Sequence, residues 1–124
     1  MTPETVKETI QNYRYYFNDY NHLVGSLEST ENDSFDLMGM GLSSRDEKVS
    51  RRLELLEKKL MIVVEALEYT ELTEKEWTVV DWLMEGKSLA WIAREILCLS
   101  HTHTVRILLS ASKKMSIYIK QNYA

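Results

Sequence analysis

One cysteine, one proline and four glycines are all that this chain of 124 residues has of the residue types that crosslink or break regular structure. A lone thiol, Cys98, excludes an internal disulfide, so nothing calls for an oxidising compartment. With Pro3 at the very start and little strand-like alternation, breaks are few and an all-α fold is expected. No apolar run approaches the roughly 20 residues that span a bilayer, and MTPETVKETI has neither the basic nor the apolar region of a secretory signal. The expectation is a cytoplasmic chain of one ordinary domain's length, without a membrane partner. Also missing are a phosphate-binding glycine loop, a convergent acid–base pair and a nucleophile with its base, so neither an enzyme nor a cofactor is expected.

Acidic residues are absent from the end of the chain. The formal charge is −4 overall, yet from Ile96 onward the charged residues are Arg106, Lys113, Lys114 and Lys120 alone. An anionic partner is therefore expected to meet the C-terminal end, since phosphate binding needs positive potential.

What is present falls into two halves. Thr2 and Pro3 make a helix start, a hydroxyl N-cap followed by proline at the first helical position. Behind them Val6, Ile10, Tyr13, Phe17, Tyr20, Val24 and Leu27 follow a 4-3-4-3-4-3 spacing, predicting a helix over 3–28 with one apolar stripe. The glycine-bearing stretch that follows reads as a loop at about 29–44. Ser44 and Glu47 form a capping box before a second stripe, Val49, Leu53, Leu56, Leu60, Val63 and Leu67, on a helix over 45–69. Residues 1–69 thus read as a two-helix hairpin or oligomerisation region. The second stripe either closes that hairpin within the chain or pairs as a short coiled coil in a homodimer.

In residues 70–124 the texture changes to short helices. Thr73 and Glu76 make another capping box, Trp77, Val80, Leu83 and Met84 an apolar face, and Gly86 a helix stop. Ser88 caps a helix burying Leu89, Ile92, Ala93 and Ile96. After an interruption at Cys98–Ser100, a last, basic helix carries Leu108, Ala111 and Met115. Three short helices in this order outline a helix-turn-helix domain.

The stretch LTEKEWTVVDWLMEGKSLAWIA, residues 72–93, resembles the helix-turn-helix opening of LuxR-type regulators and of sigma-factor region 4, with Leu72, Thr73, Glu76, Val80, Leu83, Gly86, Ser88, Ile92 and Ala93 at the matching places. Leu97, Cys98, Leu99, Ser100, Leu108, Ala111, Lys113, Lys114 and Met115 continue the pattern if one extra residue lies between Ala93 and Leu97; Cys98 then stands where such families have a turn glycine, and His103 and Thr104 where they have Thr-Val. The alternative frame keeps Thr104 and Val105 as the Thr-Val pair, which makes the turn two residues longer and misplaces the basic pair by one. Over the whole chain the arrangement resembles phage late transcriptional regulators of the RinA/ArpU type. That resemblance implies a sigma-region-4-like helix-turn-helix bundle, an activator of phage late genes in the host cytoplasm, and two partners, double-stranded promoter DNA and host RNA polymerase.

Cys98, His101 and His103 invite a metal reading. Histidines two apart diverge by about 200° on a helix, and a structural zinc wants four ligands, so no metal site is expected. These positions are either incidental turn residues or the polar tip of a recognition helix. In the second case Ser100 is the N-cap, and His101, Thr102, His103, Arg106, Ser110 and Lys113 face DNA. Arg106 is the candidate base reader, its fork suited to guanine O6 and N7. Lys113, Lys114, Lys87 and Arg94 are expected to touch phosphates. The rivals are a helix-turn-helix adaptor that binds RNA polymerase or another protein without reading DNA, and a small phage packaging (terminase) subunit.

Overall fold

Short polar caps and long apolar stripes set the architecture. A computed structural model describes residues 1–36 and 44–123, with side chains described for 1–25 and 47–123. Among these residues there is no strand. The helices are α1 (Pro3–Gln11), α2 (Tyr13–Asp36), α3 (Ser44–Tyr69), α4 (Glu74–Met84), α5 (Leu89–Trp91), which continues as a π-helical segment (Ile92–Leu97), and α6 (His101–Asn122). The expected all-α class holds.

The first predicted helix is in fact two. Thr2 caps α1 as expected, its side chain accepting from the Thr5 N–H with Pro3 next in line. At Asn12 the backbone leaves helical geometry (φ −106°, ψ 11°), and the Asn12 side-chain amide donates to the Glu8 carbonyl. Asparagine offers the backbone this competing bond, which is why it breaks helices. The predicted loop at about 29–44 is also corrected, because α2 runs on to Asp36. Residues 29–36 contain neither glycine nor proline; the glycines come later, at 39 and 41, among residues 37–43 outside the described ones. The Ser44–Glu47 capping box likewise lies outside the described side chains.

The two apolar stripes meet as a hairpin, α2 packed along α3. Val63 is fully buried and Leu60 nearly so, Leu67 packs against the core, and Val49, Leu53 and Leu56 are half-buried. The stripe offered for self-association is thus turned toward the chain's own interior. The core crosses the expected boundary at residue 70: Val6 and Ile10 of α1, Val63 and Ala66 of α3, Val79 and Val80 of α4, Ile92, and Leu108, Ala111, Met115 and Ile119 of α6 form one cluster. Ser116 of α6 donates to the Met1 carbonyl at 2.8 Å, tying the N-terminus to the last helix.

One charged group sits inside this packing. The Thr73–Glu76 capping box is formed, and Glu76, 4% exposed, also accepts from Lys114 Nζ of α6 at 2.6 Å. Burial alone would raise the Glu76 pKa, but the bonds from Lys114, from the Thr73 backbone and side chain and from the Ser110 side chain outweigh it and hold the carboxyl at about 2. A carboxylate with a depressed folded pKa contributes stability above its unfolded value, near 4.5, and loses it as pH falls toward 2. Glu76→Gln keeps the cap but removes the charge, and leaves Lys114 without its partner. The expected cost is about 2 kcal/mol at pH 7 in urea unfolding, with the gap between variant and parent closing as pH falls from 5 to 2. A gap that is constant with pH would contradict the ion pair.

Candidate nucleic-acid interface

The candidate residues begin where α4 stops. Gly86 takes φ +101°, its N–H donates to the Leu83 carbonyl, and the Lys87 N–H donates to that of Trp82. This is a Schellman ending, which needs a residue free to adopt positive φ. A Cβ at this position would also press on the Arg14 side chain, 3.2 Å away. Ser88 caps the next helix, accepting from the Trp91 N–H, as expected.

Between Ala93 and Leu97 the chain winds as a π-helix, a turn that holds one more residue than an α-helical turn. Cys98 ends it with φ 54° and ψ 42°, the left-handed conformation in which glycine is ordinarily found. The Ala93 carbonyl accepts from both the Cys98 and the Leu99 N–H groups. Three residues, Cys98, Leu99 and Ser100, therefore turn the chain into α6. Ser100 is the N-cap: its hydroxyl accepts from the His103 N–H and its carbonyl from the Thr104 hydroxyl. The first N–H groups of a helix have no intrahelical partner, which leaves those of His101 and Thr102 at an exposed tip.

Burial sorts α6 into two faces. Thr104, Leu108, Ala111, Ser112, Met115, Ser116 and Ile119 are buried. Thr102, His103, Arg106, Ser110 and Lys113 are exposed at spacings that put them on one outward face; His101 is exposed at the end of the helix. His101 and His103 do not converge with Cys98, whose thiol lies against the Arg94 carbonyl.

Three predicted phosphate contacts have internal partners. Lys114 is held by Glu76, Arg94 pairs with the adjacent Glu95 at 2.9 Å, and the Lys87 ammonium lies 4.9 Å from the centre of the Trp91 ring. Arg94 and Lys87 remain exposed, so their charges still face solvent, whereas the half-buried Lys114 is held by the buried Glu76. The tryptophans divide: Trp82 and Trp91 pack on one another, ring centres 5.3 Å apart, while Trp77 is exposed. Sequence reasoning missed Leu109 and Ile117, exposed on the same outward face as Arg106. Their spacing from Arg106 and Lys113 carried that signal.

Comparison with models of protein families, with curated proteins and with solved structures finds no match to this chain. The case for its activity therefore rests on this face and on the turn before it.

The turn itself can be tested. A side chain in left-handed geometry carries a steric cost that glycine avoids, partly offset by the larger freedom of an unfolded glycine. Cys98→Gly is expected to raise stability by roughly 0.5–1 kcal/mol, read from the urea midpoint; a lowered midpoint would show that the thiol's packing outweighs the backbone cost.

Proposed function

We propose that this protein is a sequence-specific DNA-binding regulator of transcription, an activator of phage late genes that acts with host RNA polymerase. In this reading the segment from α4 to α6 is a sigma-region-4-like helix-turn-helix, and α6 enters the major groove by its N-terminal half. One observation carries the reading: Thr102, His103, Arg106, Ser110 and Lys113 stand exposed on one face of a helix that contains no acid and follows a capped three-residue turn.

The chemistry divides among these residues. The guanidinium of Arg106 can donate two parallel hydrogen bonds to guanine, and the Thr102, His103 and Ser110 side chains offer shorter-range donors and acceptors. Lys113, with Lys87 and Arg94 on the supporting side, supplies the sequence-independent attraction. Each phosphate that they neutralise adds about −0.9 to the slope of log affinity against log salt. The free N–H groups at the start of α6 suit a phosphate oxygen. Lys114 has no part in this, because withdrawing it would strip Glu76 of its cation.

A second reading, an adaptor that binds polymerase or another protein without reading DNA, is favoured by Leu109 and Ile117, apolar and exposed on the same face. Duplexes selected from a randomised library separate the two. Arg106→Ala is expected to lower affinity for the selected duplex about tenfold or more while binding to unselected duplex changes little, and Ile117→Ser is expected to leave both unchanged. If no duplex is enriched by the parent protein at low salt, the DNA-reading proposal fails.

A further inference from the structure

The hairpin carries a second surface, independent of the face on α6. Tyr13, Phe17 and Tyr20 of α2 and Leu60, Met61 and Val64 of α3 wall a groove of about 400 Å³. Its apolar wall is open to solvent: Met61 is 62% and Val64 41% exposed. Tyr13, Phe17 and Tyr20 on α2, and Glu57, Met61, Val64 and Glu68 on α3, recur every three or four residues, so each helix gives one stripe to the groove. From Glu57 to Glu68 the α3 stripe rises about 16 Å, the length of three turns of a docked helix.

The charge around the groove has one sign along α3. Glu57, Glu65 and Glu68 line it together with the apolar residues, and none of them pairs with a cation among the described residues. Glu65 accepts from the Tyr118 hydroxyl of α6, which steadies its position. Of the neighbouring lysines of α3, Lys58 lines the adjoining cleft, which shares Glu57 and Met61 with the groove, and Lys59 lies over the Tyr16 ring beside Glu8. On the α2 side the guanidinium of Arg14 already lies over the Phe17 ring, 5.4 Å from its centre, so this aromatic wall presents faces that take a cation.

From the pairing of an open apolar wall and tyrosine faces with three carboxylates that meet no cation among the described residues, we infer that the α2–α3 groove docks a basic amphipathic helix of a partner protein. Its leucine-like residues would fill the space between Phe17, Met61 and Val64, and its lysines or arginines would meet Glu57, Glu65 and Glu68. Charge complementarity selects this occupant: a neutral apolar helix would leave the carboxylates desolvated and unpaired, and nucleic acid would be repelled.

The test titrates the full-length protein with a fluorescently labelled helical peptide of leucine and lysine, and with its leucine–glutamate counterpart. The lysine peptide is expected to bind and the glutamate peptide not. Glu57→Lys with Glu68→Lys, both exposed positions, should weaken binding about tenfold or more. Glu4→Lys with Glu71→Lys, the same change of charge at exposed acids outside the groove, should weaken it by less than about twofold. Equal losses in the two pairs would mean attraction to net charge alone and would overturn the site, as would equal binding of the glutamate peptide. Sedimentation of the unliganded protein supplies a further check: a dimer that Met61→Asp dissolves would assign the groove to a second copy of the chain and overturn the proposal. A monomer in which Met61→Asp abolishes peptide binding supports it.

Discussion

Glu76 is a charge placed in the interior, and it is tolerated because one carboxylate oxygen meets the start of its own helix and the ammonium of another. The Thr73 N–H and the Lys114 Nζ both donate to Oε1, at 3.0 and 2.6 Å, while Oε2 is buried without a partner among the described residues. Desolvating a carboxylate costs several kcal/mol unless hydrogen bonds and a counter-charge replace the water. The geometry that satisfies it is narrow. It holds the N-terminus of α4 against the middle of α6, and so fixes which residues of α6 can point away from the bundle.

That constraint decides the division of the basic residues. Lys113 and Lys114 are neighbours in sequence but lie about 100° apart on the helix, so once Lys114 turns to Glu76, Lys113 turns outward with Arg106, while Ser110 stands between the two directions, exposed and within reach of Glu76. The π-turn at Ile92–Leu97 and the left-handed Cys98 set the other end. They deliver Ser100 to the start of α6, where its hydroxyl closes the cap. The outward face of α6 is thus specified from both ends, by a cap and by an ion pair to a buried carboxylate.

Elements announced by a local rule were readable in the sequence. Thr2, Thr73, Ser88 and Ser100 cap helices where their spacing to the following apolar residues says they should, and Gly86 ends α4 because positive φ is needed there. Leu108, Ala111 and Met115 are buried as their periodicity predicts. What escaped depended on partners distant in sequence. The capping box accounts for Glu76 locally, so nothing in the sequence signals that the same carboxylate reaches Lys114, 38 residues on. The break at Asn12 was hidden by an apolar stripe that continues through it, and the continuation of α2 to Asp36 by polar residues whose period is weak. That Thr102, His103, Arg106, Ser110 and Lys113 share one side of a helix follows from their spacing, whereas the exposure of the apolar Leu109 and Ile117 beside them emerges only once burial sorts the helix.

The central claim is that one face of α6, positioned by Glu76 and by the turn at Cys98, meets nucleic acid. Titrating the isotopically labelled protein with duplex DNA at low salt and following its backbone amide resonances tests this most directly. The account predicts shifts concentrated at Ser100–Lys113, with smaller ones near Lys87 and Arg94, all reversed by added salt. Shifts confined to the α2–α3 hairpin, or none at low salt, would contradict it.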